Sequence, residues 1–227
     1  TIQARRSVRD FLDHSLNKTE LAAIQSLISE ADTLPFNHRI EMTLVDRTDF
    51  KKERIKLGTY GFIRNPRWFI LGKSENTIEY LLDYAYRMER LVLALTALEI
   101  GSCWLGGAFN RRQFAQTVEI ETGQVIPAII AIGKPAEPRF ISGIMRRIVN
   151  ADHRKAPETL FFKEDLKTPY PLKKDDPISE SLKMVRLAPS ADNFQPWRIR
   201  VRQDRIDFYL KASKILSSLI KSLKLQY

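Results

Sequence analysis

The chain of 227 residues is long enough for one large domain or for two small ones packed closely together. Hydrophobic residues make up 44% of it and charged residues 28%, which is typical of a globular protein and excludes a chain that is mostly disordered. Its single cysteine, Cys103, excludes an internal disulfide framework and a cysteine-based metal cage. Against 27 acidic residues stand 37 Lys and Arg, a net charge of +10 that requires an explanation.

The chain carries no recognisable targeting or membrane segment. Residues 1–14 are basic but lack the apolar core of a signal peptide. The longest apolar stretches, such as residues 125–132, are far too short to cross a bilayer. With the lone cysteine, these features predict a cytoplasmic protein without a membrane partner. The three histidines lie far apart, and we expect no metal site.

The first half of the chain alternates helix and strand patterns. Residues 17–32 predict a helix that Asn17 or Thr19 caps, and residues 76–100 predict a longer helix that Gly101 ends. Strands are predicted at residues 39–46 and 68–71. The apolar stripe of the longer helix comprises Ile78, Leu81, Leu82, Ala85, Met88, Leu91, Val92, Leu95 and Leu98.

The rest of the chain continues the alternation. Residues 137–176 are basic and punctuated by prolines, which predicts an extended connection over the surface. Helices are predicted at residues 111–118, 178–187 and 213–225, the last of them amphipathic. Strands are predicted at residues 125–132, as one continuous run, and at 198–202 and 206–210.

The two halves share a weak internal pattern. In each half a leucine-rich helix leads through a loop to a strand that ends in Asp-Arg, at Asp46-Arg47 and at Asp204-Arg205. The loops differ, since the first reads ADTLPFNH (31–38) and the second APSADNFQPW (188–197). The pattern fits either an internal duplication or two unrelated helix–strand units.

Three segments carry residues suited to chemistry, and the first is the arginine–serine segment, ARRSVRDF (residues 4–11). Its three arginines, Arg5, Arg6 and Arg9, supply cationic donors. Ser7 adds a hydroxyl in the same short stretch. Guanidinium groups pair bidentately with phosphate oxygens, so the segment suits phosphate binding. The alternative is an exposed and solvated basic arm.

The second is the glycine segment, GSCWLGG (residues 101–107). After Trp104, Gly106 and Gly107 would let the backbone approach a flat ligand with their N–H groups free. The alternative is a helix end followed by a packed loop.

The third is the proline–serine loop, APSADNFQPW (residues 188–197). Ser190, Asn193 and Gln195 offer hydroxyl and amide groups to the edge of a heterocycle, and two prolines stiffen the loop. The alternative is a structured turn between a helix and a strand.

Together with the strand that ends IAIGKP (130–135), the three segments resemble the FMN-dependent nitroreductase family over residues 4–197. The resemblance implies an α+β, three-layer fold in which helices flank a mostly antiparallel central sheet. The order of the motifs departs from the family, because the proline–serine loop comes last here and ADTLPFNH (31–38) stands in its usual place.

That departure resembles a family variant in which one duplicated chain forms a pseudo-dimer. In the family the flavin lies between two subunits, and the proline–serine loop comes from the second. One chain carrying both sets would build one such site alone and lose the other. The resemblance thus implies a first half at residues 1–160 and a partial second half at 161–227, either a natural half-copy or a truncated chain. We expect a monomeric pseudo-dimer or a homodimer.

The resemblance also implies which residues bind the cofactor. Arg5 and Ser7 match positions that hold the FMN phosphate and ribityl chain, and Arg9 matches one at the pyrimidine edge of the flavin. Arg154 matches a late basic position that reaches the phosphate. No residue is assigned as catalytic, because the chemistry would occur on FMN. The implied FMN contacts are Arg5, Arg6, Ser7, Arg9, Trp104, Leu105, Gly106, Gly107, Arg154, Pro189, Ser190, Asn193 and Gln195.

The implied activity is that of an FMN-dependent oxidoreductase. It would pass electrons from NAD(P)H through FMN to a small nitroaromatic or quinone-like acceptor. The alternative is a non-catalytic or regulatory protein of the flavin fold. The net charge prompts a third reading, nucleic-acid binding, but the basic residues are spread along the chain without a nucleic-acid motif, so we expect no specific nucleic-acid partner.

Overall fold

A computed structural model describes residues 1–13, 16–31, 33–49, 63–107, 109–137 and 153–211. The described residues fall into two compact units, the first formed by residues 3–137 and the second by residues 153–211. The second unit therefore includes residues 153–160, which precede the expected boundary at 160/161. The reason is that Leu160 is fully buried in the core of the second unit.

Six strands of the first unit are described: β1 (Met42–Asp46), β2 (Trp68–Gly72), β3 (Ser74–Glu75), β4 (Gly101–Leu105), β5 (Gln124–Val125) and β6 (Ile129–Gly133). The main sheet has the order β1–β2–β6–β4, and every neighbouring pair in it is antiparallel. β3 and β5 form a separate two-stranded ribbon. The predicted continuous strand at 125–132 is thus wrong, since β5 and β6 are separated around Pro127, which has no N–H to donate.

Three α-helices are described in the same unit: α1 (Lys18–Ser29), α2 (Ile78–Ala97) and α3 (Arg111–Phe114). Of the two candidate caps of α1, Asn17 is the one used. Its Oδ1 accepts from the Glu20 backbone N–H, and Glu20 Oε2 accepts from the Asn17 N–H, both at 2.9 Å, which forms a capping box. α3 is shorter than the predicted helix at 111–118.

The hydrophobic core of the first unit has two parts, because successive side chains of a strand lie on opposite faces of the sheet. Ile70 and Ile130 belong to the part that contains the buried residues of α1 and α2. Phe69 and Ala131 belong to the other part, which contains Phe114 of α3. Helices flanking an antiparallel sheet confirm the expected α+β class.

α2 ends earlier than its pattern predicts. Its last residue is Ala97, and Glu99, not Gly101, takes the positive φ of 56° that follows. Gly101 instead begins β4. A Cβ at Gly101 would lie 2.9 Å from Val8 Cγ1, so the glycine serves close packing and not the helix end.

The buried face of α2 is also rotated from the predicted stripe. Asp83 and Arg87 are buried on it although both are charged. Asp83 accepts from the backbone N–H of Phe36, and Arg87 donates to the Ile28 carbonyl. Partners in remote segments make this burial possible, and helical periodicity cannot reveal them. Stripe residues that are exposed instead are Ile78, Leu82, Ala85 and Leu98.

The second unit contains β7 (Phe161–Phe162), α4 (Pro177–Arg186), β8 (Trp197–Val201) and β9 (Ile206–Leu210). β8 pairs antiparallel with β9 and parallel with β7. The predicted surface connection at 137–176 is therefore wrong at β7, where Phe161 is fully buried. The predicted helix at 213–225 lies outside the described residues. None of the described helices is both long and apolar enough to span a membrane.

Candidate functional site

The arginine–serine segment lies along β4, an edge strand of the main sheet. Ser7 pairs with Ser102 in a parallel bridge, and the Val8 N–H donates to the Ser102 carbonyl at 2.8 Å. The Arg9 carbonyl accepts from the Arg64 N–H at 2.8 Å. The missing side chain of Gly101 makes room for Val8. The backbone of the segment is thus held by hydrogen bonds at Val8 and Arg9, directly after Ser7.

The cationic and hydroxyl side chains of this segment, in contrast, make no hydrogen bond or salt bridge to a described residue, whereas Asp10 lies 4.0 Å from Arg64. Within the part of the chain that the structure describes, Arg5, Ser7 and Arg9 make no side-chain hydrogen bond or salt bridge. All three are half-buried, whereas Arg6 is exposed. Burial lowers the pKa of the Arg5 guanidinium, an effect that the charge of Glu89 opposes. Half-buried cationic donors without a partner suit an anionic ligand.

In the glycine segment only Gly106 and Gly107 form a loop, because residues 101–105 are β4. A Cβ at Gly106 would meet no atom within 4 Å, so packing does not require glycine there. Arg111 Nη2 donates to the Gly106 carbonyl at 2.6 Å. The N–H groups of Gly106 and Gly107 make no hydrogen bond among the described residues. The loop therefore has open space at Gly106, and its two amides are not used by any described residue.

Trp104 and Leu105 lie on opposite faces of β4. Leu105 is buried in the core part that contains Phe114, so its side chain is a core residue. Trp104 is half-buried, and its Nε1 donates to Glu89 Oε2 at 2.8 Å. Glu89 is not among the residues predicted from the sequence. Its spacing of four residues from Ala85 and three from Val92, both in the predicted stripe, is the one signal that could have found it.

In the second unit, Gln195 connects the proline–serine loop to neighbouring backbone through hydrogen bonds of its side chain and its N–H. It is 1% exposed, and its Oε1 accepts from the Lys155 N–H at 2.9 Å. Its Nε2 donates to the His153 carbonyl at 3.2 Å, and its backbone N–H donates to Ser190 Oγ at 2.9 Å. Gln195 therefore stabilises the loop and has no surface to offer a ligand.

Arg154 and Asn193 are bonded to each other in the same network of hydrogen bonds. Arg154 Nη1 donates to Asn193 Oδ1 at 3.1 Å, and Arg154 Nη2 donates to the Leu187 carbonyl at 3.3 Å. Asn193 Nδ2 donates to the His153 carbonyl at 2.9 Å. Pro189 and Ser190, at the start of the loop, are half-buried. The structure thus brings Arg154, Asn193 and Gln195 together, and each of them makes hydrogen bonds within the loop or to its neighbours.

The loop that stands in the usual place of the proline–serine motif is tied to α2. Asp83 is fully buried and accepts from the backbone N–H groups of Phe36 and His38, at 2.9 and 3.0 Å. His38 Nδ1 lies 2.9 Å from the same carboxylate, and the ring stacks on Tyr80 at 3.7 Å between centroids. No described group of His, Cys, Asp or Glu residues is arranged to hold a metal ion.

Comparison with known proteins places the chain among nitroreductases. Residues 1–221 match the family model described as "Putative TM nitroreductase". Among solved structures, a "putative nitroreductase" of Thermotoga maritima is 22% identical with a TM-score of 0.59, over 99% of this chain and 80% of that one. No curated protein matches the chain.

Two further structures carry names that mention FMN. The chain is similar to an FMN-dependent nitroreductase of Clostridium difficile, with 19% identity, a TM-score of 0.49, and 61% of this chain and 87% of that one covered. It is also similar to a nitroreductase of Bacteroides fragilis with bound FMN, with 23% identity, a TM-score of 0.46, and coverage of 61% and 88%.

The family model spans both compact units. The Thermotoga structure shows the fold over the same length. The resemblance that the three segments implied is thereby confirmed, and the chain belongs to the TM nitroreductase family.

Proposed function

We propose that the chain is an FMN-dependent oxidoreductase that passes electrons from NAD(P)H through FMN to a small nitroaromatic or quinone-like acceptor. The observation that carries the proposal is the set of unused donors along β4. Arg5, Ser7 and Arg9 are half-buried in a segment whose backbone is hydrogen-bonded to its neighbours. Their side chains nevertheless make no hydrogen bond or salt bridge to a described residue. Membership of the nitroreductase family supports the class of reaction.

The donors of the first unit fit FMN by their chemistry. Arg5 and Ser7 would hold the phosphate and ribityl chain, because guanidinium and hydroxyl groups are strong donors to phosphoryl oxygens. The exposed Arg6 would add positive charge nearby. Arg9 would stabilise negative charge on the reduced ring. When bound, FMN would supply the hydride chemistry.

The loop after β4 fits the flat part of the same ligand. Because Gly106 has no side chain, a flat ligand could approach the backbone in the open space where a Cβ would otherwise stand. The amides of Gly106 and Gly107, which no described residue uses, could donate to acceptor atoms of that ligand. Arg111 binds the Gly106 carbonyl and so keeps the backbone of the loop in one orientation. A bound ligand would explain a glycine at this position, because the packing of the described residues does not require one.

The part of the proline–serine loop in FMN binding stays a prediction from the resemblance. Ser190 is its best candidate, because Ser190 Oγ accepts from Gln195 and still has a proton to donate. Arg154, Asn193 and Gln195 would act by keeping the loop in shape. The variant Ser190→Ala should weaken FMN binding. It also removes the acceptor of the Gln195 N–H, so it should lower the free energy of unfolding by about 1–3 kcal/mol.

The proposal is tested by anaerobic reduction of the purified chain loaded with FMN. We expect NADH or NADPH to bleach the bound flavin and a nitroaromatic or a quinone to restore its colour. If FMN binds but neither nucleotide bleaches it, the chain is a non-catalytic flavin-fold protein. If the chain takes up no FMN, the cofactor and the activity are both contradicted.

A further inference from the structure

Glu89 is a carboxylate of α2 that the proposed flavin chemistry does not use. Its side chain is half-buried, and its Oε2 accepts from Trp104 Nε1 at 2.8 Å. Trp104 lies on β4, two residues after Ser102, to which the arginine–serine segment is bonded. A carboxylate therefore stands beside the candidate phosphate-binding residues.

Arg5 is the cation whose charge acts on Glu89. Burial raises the pKa of Glu89, while the Trp104 hydrogen bond and the charge of Arg5 act in the opposite direction. For Arg5, Glu89 is the first charge that offsets the effect of burial. Burial also raises the pKa of Cys103, so this thiol of β4 carries no charge at neutral pH. Among the described residues, α1 and β3, which also pack on α2, contribute no charged group that acts on Glu89.

A phosphoryl group and Glu89 would depend on the same cation. Among the described residues, Arg5 makes no side-chain hydrogen bond, so its donors are available to a ligand. A phosphoryl dianion held by Arg5 would repel the Glu89 carboxylate, because like charges that lie close together disfavour each other's ionised form. Neutralising Glu89 would remove that repulsion.

We propose that Glu89 is a positioning residue that fixes Trp104 and, through its charge, limits the affinity of Arg5 for a phosphoryl group until it takes up a proton. This inference rests on the proposed FMN function. It predicts that the charge of Glu89 changes the affinity for FMN but not for riboflavin, because riboflavin has the same ring system without the phosphate.

The test measures the affinities of wild type and Glu89→Gln for FMN and for riboflavin. Glutamine keeps an oxygen that can accept from Trp104 but carries no charge. We expect the variant to bind FMN about three- to ten-fold more tightly and riboflavin unchanged. Glu79→Gln, an exposed position on the same helix, is the matched control and should change neither affinity. In an Arg5→Gln background, Glu89→Gln should lose its effect.

Equal changes for FMN and riboflavin would show a purely structural role through Trp104, and they would overturn the inference. An unchanged FMN affinity would overturn it as well.

If Glu89→Gln does not fold, the inference is tested on wild type alone, by measuring both affinities at several pH values. The FMN affinities are first corrected for the ionisation of the free phosphate, whose second pKa is about 6. The ratio of FMN affinity to riboflavin affinity should then fall as pH rises, because Glu89 ionises. A constant ratio would contradict us. Wild type that binds no FMN overturns the proposed function itself.

Discussion

Arg111 Nη2 donates a hydrogen bond to the Gly106 carbonyl at 2.6 Å. The same guanidinium reaches the Ile126 carbonyl through Nε at 3.3 Å and lies 4.6 Å from the centre of the Phe109 ring. It therefore connects the loop after β4 to the segment before β6. Burial lowers the pKa of Arg111, which means that a charged donor is desolvated to hold this loop.

Replacing Arg111 with Met should loosen the loop. The lost charged hydrogen bonds should lower the free energy of unfolding by about 1–3 kcal/mol. FMN affinity should fall with it, because the amides of Gly106 and Gly107 would no longer be held in place. Urea unfolding and flavin titration measure the two effects. Arg112→Met, at an exposed position, is the control, and equal effects of both variants would contradict this role of Arg111.

Replacing Gly106 with Ala should separate binding from stability. Because the new Cβ meets no protein atom within 4 Å, the free energy of unfolding should stay the same or rise by up to about 1 kcal/mol. FMN affinity should fall about ten-fold, since the methyl group occupies space assigned to the ligand. Unchanged FMN affinity would mean that the flavin does not lie above this glycine.

Gly101→Ala, at the start of β4, is the converse test. Its Cβ would lie 2.9 Å from Val8 Cγ1, so the variant should lose about 1–3 kcal/mol of unfolding free energy. Val8 belongs to the arginine–serine segment, and a displaced segment should also bind FMN more weakly. Thermal unfolding checks the first effect. A stability equal to that of wild type would show that Val8 does not pack against Gly101.

Replacing Asp83 with Asn should destabilise the first unit in a pH-dependent way. Burial would raise the pKa of Asp83, but the hydrogen bonds from Phe36 and His38 outweigh it and hold the pKa below its usual range. A depressed folded pKa contributes stability above the unfolded value, and this stability is lost as pH falls through the folded value.

At neutral pH the Asp83→Asn variant should therefore lose about 1–3 kcal/mol of unfolding free energy. The difference from wild type should begin to shrink below about pH 4, where the carboxyl of the unfolded chain takes up a proton, and should be lost as pH falls through the lower pKa of the folded state. Urea unfolding at several pH values measures this, with the exposed Asp13→Asn as control. A difference that is constant with pH would mean that the charge of Asp83 has no part in holding the loop.

Replacing Gln195 with Ala should destabilise the proline–serine loop. The Lys155 N–H would lose its acceptor, at a cost of about 1–3 kcal/mol, whereas the His153 carbonyl would keep the donor of Asn193. Hydrogen exchange should speed up at Lys155, and unfolding should begin at lower urea concentration. Gln203→Ala, in the exposed turn between β8 and β9, should behave as wild type. Protection at Lys155 that survives the substitution would contradict the role of Gln195.

Features that depend on neighbouring residues were predictable from the sequence. Asn17 and Glu20 are three residues apart, and their capping box requires no distant contact. The end of α2 was not predictable in the same way, because Glu99 adopts the positive φ and Gly101 is kept for Val8, which lies far away in sequence.

The candidate site likewise contains residues that were predictable from the sequence and residues whose role depends on distant partners. Motif residues such as Ser7 and Gly106 were predicted from sequence, since residue type alone suggests a ligand. Glu89 and Arg111 were missed because each acts through a partner that only the fold supplies, Trp104 in one case and the Gly106 carbonyl in the other. For Gln195 the residue was predicted, but its almost complete burial was not.

The most direct test of the account is an equilibrium titration of the purified chain with FMN, followed by flavin absorbance. We predict saturable binding at about one FMN per chain. Ser7→Ala and Arg5→Gln should bind FMN more weakly, because Ser7 and Arg5 are half-buried donors whose side chains make no hydrogen bond to a described residue. A chain that takes up no FMN, or one whose FMN affinity is indifferent to both substitutions, would contradict the assignment of this site.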